Sequence, residues 1–197
     1  MKHFKNMAFC ALLLLACDAS AIEYNQVALN QSAVTFGFRQ MGVPMDGKFG
    51  KFAAQVAFDP DKLASAQARI DVTLASVDSG SSEADQSVQG KLWFDTRSYP
   101  LASFVSTSVR PLGGNRYQVT GKLTIKGKTL DVTSPVSLTV KGNSAQFDGS
   151  FNIKRLSYGV GIGEWTDLDT VADDIQIRFH LVVLASPSSN QPKRKTP

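Results

Sequence analysis

An all-β fold is what this sequence predicts: an antiparallel up-and-down barrel of about eight strands with one short helix, following a cleaved signal peptide. Three observations predict it. Apolar residues alternate with period two from Ser32 onward, the mark of half-buried strands. The alternating segments are joined mostly by short turns, and short turns require antiparallel neighbours. A single stretch reads as helix, too few for the crossovers of a parallel sheet. Eight antiparallel strands close readily into a barrel that hides its edges. A two-sheet sandwich satisfies the same pattern and stays open at this point.

The chain begins with Lys2 and Lys5, then a ten-residue apolar run from Met7 to Ala16, then Ala19-Ser20-Ala21. A positive start, a short apolar run and a small-x-small site read as a secretory signal cut after Ala21, and the run is too short to span a bilayer. The mature chain is therefore expected in the periplasm of a bacterium. Leu14-Leu15-Ala16-Cys17 offers the alternative of cleavage before Cys17 and lipid anchoring through that cysteine. Both cysteines, Cys10 and Cys17, lie in this segment. Cleavage after Ala21 leaves no thiol, which excludes disulfides and cysteine-ligated metals from the mature domain.

The body follows in order. Val34, Phe36 and Phe38 share one strand face; Met41–Gly50 reads as a loop or short helix. Ala54, Val56 and Phe58 form the next strand, ending at Asp59-Pro60, where proline blocks further pairing. Ala68, Ile70, Val72 and Leu74 alternate with polar residues. A helix is expected over Ser82–Leu92, with Ser82 as cap and Glu83 and Asp85 in its first turn. It leads into Trp93-Phe94, a pair placed to close one barrel mouth. Leu101–Val109 is ambiguous: Leu101, Val105 and Val109 oppose Phe104. Tyr117, Val119, Gly121, Leu123 and Ile125 run to a Lys126-Gly127-Lys128 turn, followed by Leu130 and Val132, then Val136, Leu138 and Val140. Phe147, Gly149, Phe151 and Ile153 follow the Lys141-Gly142-Asn143 turn, and Ile175, Ile177, Phe179, Leu181 and Val183 close the series. Three units result: signal 1–21, barrel 22–185 and a basic tail 186–197.

The net charge of +4 belongs to the ends. Residues 1–21 contribute +1 and the tail +3, through Lys193, Arg194 and Lys195, while residues 22–185 hold 16 basic and 16 acidic side chains. A neutral body without a basic stripe excludes nucleic acid as the expected partner. The tail leaves contact with an anionic membrane surface open.

Chemistry finds little purchase in the body. His180 is its one histidine and lies on the polar face of the last strand; no Gly-x-Ser-x-Gly elbow accompanies it. Asp167, Asp169, Asp173 and Asp174 crowd one loop without the spacing of an EF-hand. Gly159-Val160-Gly161-Ile162-Gly163 is followed by Trp165 and a strand rather than a helix, so it reads as backbone turning and not as a phosphate loop. What remains is apolar area. Periodicity alone does not separate a barrel filled by its own side chains from one that holds a lipid.

Specific residues resemble a known family. Gly47-Lys48-Phe49, Phe52, Phe58-Asp59-Pro60, Ser76-Val77-Asp78-Ser79-Gly80, Trp93-Phe94-Asp95, Tyr99-Pro100 and Phe104–Val109 are similar, in order and spacing, to the YceI-like periplasmic polyisoprenoid-binding proteins. Val119–Ile125, Gly127, Val132, Pro135-Val136 and Arg155–Gly161 continue the likeness, which spans residues 23–184. The resemblance implies a lipocalin-like barrel with an apolar tunnel for an isoprenoid or similar amphiphile, and a carrier role without catalysis. With one histidine and no cysteine in the mature domain, a His- or Cys-rich metal site is impossible by count, and no resident cofactor is expected, a quinone-type lipid being one candidate occupant. Phe36, Phe38, Phe58, Ile70, Val72, Phe104, Leu123, Phe151, Ile177 and Phe179 are the expected tunnel residues, with Met41, Trp93 and Phe94 at the mouth. Many relatives carry Arg-Asp-x-His-Leu where this chain has Ala84-Asp85-Gln86-Ser87-Val88, so the Arg and His are missing. The alternatives are a fatty acid or amide as ligand, or an interaction module with a filled core. Monomer or homodimer stays open.

Overall fold

The computed structural model describes residues 22–187. The signal segment, Cys17 and the tail beyond Pro187 lie outside the described residues. Eleven strands and one helix make up the described chain: β1 (Ile22–Val27), β2 (Ala33–Gln40), β3 (Val43–Phe49), β4 (Phe52–Ala57), β5 (Gln67–Thr73), β6 (Val77–Asp78), α1 (Ser82–Val88), β7 (Leu101–Gly113), β8 (Arg116–Ile125), β9 (Lys128–Lys141), β10 (Ser144–Lys154) and β11 (Asp174–Pro187). The spatial order is β4-β5-β7-β8-β9-β10-β11-β2-β3-β6, with β1 on β11. Every pairing is antiparallel, as the short turns demand.

The sheet curls into a lipocalin-like barrel, and its two ends are tied. Tyr24 of β1 and Phe58, just past β4, exchange backbone hydrogen bonds of 2.9 and 3.0 Å. At the other end β6 follows β5 through a 3₁₀ turn at Leu74–Ser76 and pairs with the last residues of β3. Unpaired edge groups are thereby kept short.

Three points depart from the sequence reading. Met41–Gly50 is neither loop nor helix: Met41 and Gly42, at φ of 50° and 78°, form a two-residue turn, and β3 follows. Positive φ at both central residues matches the strand twist of a tight hairpin. The strand was hidden because Pro44, Asp46 and Gly47 are poor strand formers, tolerated near a sheet edge where side chains stay largely exposed. The helix ends at Val88 rather than Leu92, and its cap is Ser81, whose Oγ accepts from the Ala84 N–H at 3.4 Å. The strand count is eleven because β1, β3 and β6 add to the alternating set, while Leu130–Val140 forms one continuous strand, β9.

The ambiguity of β7 has a simple origin. Its register against β8 runs Ser106–Gly121 and then Ser108–Thr120, so Thr107 is an extra residue. Such a bulge reverses which face the following side chains take. Ala102 and Phe104 therefore face inward before it, and Val109 after it.

Small residues let large ones lie flat inside. Phe179 pairs with Gly149 and Phe36 with Gly47, and a methyl at either glycine would collide with the opposite ring. At the far end Phe58 packs edge-on against Tyr117 and Phe147, with ring centroids 5.2 and 5.1 Å apart. Tyr24, Val136, Leu138, Ala145, Leu181 and Val183 complete a buried apolar cluster there. A second cluster, around Leu74, Ile125, Ile153, Tyr158 and Val160, surrounds a space that is not filled.

Candidate ligand cavity

The interior contains two compartments that share walls. The larger, of about 560 Å³, lies toward α1 and the segment 155–171; the smaller, of about 130 Å³, reaches toward Phe58 and Phe147. Val34, Val72, Ala102, Leu123, Phe151 and Ile177 line both, so the two compartments adjoin at these residues. The deep compartment is apolar almost throughout. Ser134 lines it, but its hydroxyl is turned to the Ser150 carbonyl at 3.1 Å and is satisfied.

Every residue assigned to the tunnel or mouth from sequence lines one of these compartments except Met41. Phe36, Phe38, Trp93 and Phe94 line the large one; Phe58, Ile70, Phe104 and Phe179 the deep one; Val72, Leu123, Phe151 and Ile177 both. Met41 lies at the turn apex, 73% exposed, and points no part of itself at the cavity. Met45, on β3, takes the place assigned to it. Tight hairpins push apex residues outward, and only knowledge of the hairpin separates the two methionines.

The mouth is polar on one side. Gln40, Ser79, Ser81, Glu83 and Ser87 line it beside α1. Asp85 accepts from the Ser79 N–H at 2.8 Å and its hydroxyl at 2.7 Å. Its role is to fasten α1 to the end of β6.

Opposite stands Arg155, 2% exposed and without a salt bridge among the described residues. All five of its N–H groups are used. Nε donates to the Ala172 carbonyl at 3.0 Å, Nη1 to Val160 and Gly161 at 3.1 and 2.7 Å, and Nη2 to Trp165 and Val171, both at 2.7 Å. Burial lowers its pKa from the ordinary arginine range, and the nearby Asp173 charge opposes that shift. The guanidinium carbon lies 5.4 Å from the Trp93 ring centre, a cation–π contact. One side chain thus organises the glycine-rich segment into a cavity wall. Arg155, Tyr158 and Trp165 were not assigned to the site from sequence; Arg155 and Tyr158 lay in view within the matched Arg155–Gly161 pattern, without a visible role.

Elsewhere, His180 and Asp148 pair at 2.6 Å on the outer face, away from the tunnel. Among the described residues no group of three or more His, Cys, Asp or Glu is placed to hold a metal ion. Two of the loop aspartates serve the backbone, Asp173 accepting from the Leu156 N–H and Asp167 from the Asp169 N–H, while Asp174 pairs with Lys154 at 2.7 Å.

A sequence model of the YceI-like domain matches residues 25–183. The chain belongs to the YceI-like family. A UPF0312 protein of Photorhabdus laumondii is 33% identical over 156 residues, covering 73% of this chain and 79% of that one. A UPF0312 protein of Yersinia pestis is 28% identical over 184 residues, 89% and 93% of the two chains. Among solved structures, Burkholderia cenocepacia BcnA is 50% identical, with a TM-score of 0.78 over 80% of this chain and 99% of its own. A polyisoprenoid-binding domain from Saccharophagus degradans, 15% identical, superposes with a TM-score of 0.60 over 84% of this chain and 99% of its own. The last likeness is one of fold.

Proposed function

We propose that this protein binds the hydrocarbon chain of an isoprenoid lipid inside its barrel and carries it through the periplasm. The observation that carries this reading is the pair of adjoining apolar compartments, which share Phe151 and Ile177 and include polar residues of α1 in their lining. Its larger compartment falls within the roughly 300–1,000 Å³ typical of small-molecule sites. Each CH₂ taken from water contributes about 0.8 kcal/mol, so a long chain strongly favours such a sheath over water. Binding the chain calls on burial alone, which is why no catalytic group is invoked. The polyisoprenoid-binding Saccharophagus domain and the export signal expected from the sequence of residues 1–21 support the same reading.

Native mass spectrometry of protein purified from its own periplasm, followed by organic extraction, tests it. A co-purifying isoprenoid, of quinone type or otherwise, is the expected result. A fatty acid or amide in its place moves the ligand class; a protein that takes up no long-chain lipid, even when offered one, overturns the carrier reading. The intact mass of the same sample reports processing: cleavage after Ala21 is expected, and an acylated Cys17 at the N-terminus would make the carrier membrane-anchored instead.

A further inference from the structure

The β2–β3 hairpin runs past the rim of the large compartment. Phe38, Gln40 and Met45 line that compartment, and the register pairs Phe38 with Met45 and Gln40 with Val43. Period two puts Val43 on the same face of β3 as Met45, the inner face. Val43 is nevertheless 57% exposed and lines neither compartment, so the inner wall of the barrel continues here into solvent. Met41, at the apex, adds a second exposed apolar side chain. No charged residue lies between Gln40 and Met45. The neighbouring loop, which carries the exposed Leu168, is tied to the apex by the Met41 N–H, donating to the Thr170 carbonyl at 3.0 Å.

The tip does not carry the residues that its turn favours. Met41 has φ of +50°, at a position where tight hairpins prefer Asn, Asp or Gly. A bulky apolar side chain is thus kept both in left-handed backbone and in water. Sequences break such local rules chiefly where function asks for it. Met41 and Met45 are also the two methionines of residues 22–197. Their flexible, polarisable side chains suit a partner without fixed shape. Arg39 stands behind the apex, its Nη1 donating to the Gly42 carbonyl at 3.0 Å. Asp167 and Asp169 belong to the neighbouring loop, so the local charge is mixed and apolar contact is what the tip offers.

We infer that this hairpin tip enters the surface of a lipid bilayer, and that the lipid passes between bilayer and cavity along the inner face of β3. The inference rests on the lipid-binding reading and deepens it, by naming the surface through which the carrier exchanges its ligand. Continuity decides for a bilayer as the occupant: the face that covers the hydrocarbon chain inside is the face that runs out to Val43. A chain released through water would expose every CH₂, whereas release by contact keeps it covered. With the apex among acyl chains, Arg39 reaches the headgroup level, where long basic side chains keep their charge solvated.

The test follows release of a loaded probe. The protein is loaded with geranylgeraniol from ethanol, and transfer into phosphatidylcholine vesicles is timed as vesicle concentration is raised. Release through water is limited by dissociation and does not depend on vesicle concentration; release by contact rises in proportion to it. The wild-type rate is expected to rise in proportion. The double variant Met41→Asn, Val43→Thr suits the turn and the strand, so its denaturation midpoint and its loaded amount should match wild type. Its dependence on vesicle concentration should fall by roughly tenfold or more. A wild-type rate that ignores vesicle concentration, or a dependence unmoved in the folded double variant, overturns this inference and leaves the lipid-binding proposal standing. A wild-type dimer that the double variant converts to monomer in sedimentation would assign the tip to a second copy and overturn it as well. Failure of the wild-type protein to load from ethanol overturns both readings.

Discussion

Arg155 Nη1 donates to the Gly161 carbonyl at 2.7 Å, and the same guanidinium fills the space where a side chain at Gly161 would sit. Gly161 has φ of +71°, so a substitution meets backbone strain and a buried cation together. A methyl there would also lie 3.0 Å from Trp93 Cζ3. Gly42 is the control: its φ is +78°, but a methyl at that position would meet nothing within 4 Å. Gly42→Ala should therefore cost about 1–2 kcal/mol, the left-handed backbone alone. Gly161→Ala adds overpacking and should cost about 2–5 kcal/mol. Urea denaturation midpoints of the two variants give the comparison; equal shifts would show that the guanidinium yields freely.

Removing Arg155 attacks the same wall from the other side. Five carbonyls, from Val160 to Ala172, lose their donor in Arg155→Leu, four of them in the segment that bounds the cavity. Each buried acceptor left bare costs about 1–3 kcal/mol where water does not reach it. A loss of at least about 3 kcal/mol is expected, even though no salt bridge is broken. Hydrogen exchange should rise over residues 159–171 well before it rises in β8 and β9. Uniform loss of protection would mean that Arg155 supports the whole barrel and not this wall.

How far the sequence discloses this architecture depends on what each segment must bury. The strands with one buried face announced themselves: Ile175 to Leu181 alternates without a break, and β11 runs through all of it. The tunnel residues were legible for the same reason, because inward parity along a regular strand is fixed by period two. What escaped was β3, which carries Pro44 and Gly47 and gains its pairing from β2 on one side and two residues of β6 on the other. The parity of β7 escaped because one extra residue, Thr107, reverses it, and periodicity registers a bulge only as conflict. Arg155 escaped most completely. A lone arginine after a strand normally reads as a solvated charge, and its burial depends on carbonyls that come together only when the 159–172 segment folds back.

Acid should reveal a cross-strand pair on the outer face. Burial alone would raise the Asp71 carboxyl, but hydrogen bonds from Arg69, at 2.7 and 2.8 Å, and from the Ser103 hydroxyl on β7, at 2.6 Å, outweigh it, as does the arginine charge. The net shift is downward from the ordinary value of 3.8. A carboxyl with a depressed folded pKa contributes stability that is present above its unfolded value and is lost as pH falls through the folded one. Asp71→Asn is thus expected to lower stability at neutral pH and to flatten its fall below pH 3.8. Denaturation midpoints on both sides of that pH check this; parallel curves for variant and wild type would assign the acid sensitivity to other carboxylates.

The tunnel's own test lies at its junction. Phe151 and Ile177 face each other across β10 and β11 as direct register partners, and both line the two compartments. Enlarging either one fills space that the folded protein leaves empty, so the usual overpacking cost of about 1–3 kcal/mol should be reduced. Ile177→Trp or Phe151→Trp is therefore expected to fold, with near-wild-type far-ultraviolet dichroism, while filling the space where the two compartments adjoin. A long isoprenoid would then have the outer compartment alone. Its retention after extraction should fall by roughly tenfold or more, since losing even two buried CH₂ groups at about 0.8 kcal/mol each exceeds the 1.4 kcal/mol that a decade requires. A short probe that fits the outer compartment should be retained as before. Loss of both would point to a collapsed cavity, and retention of the long chain in a folded variant would place it somewhere other than the barrel interior.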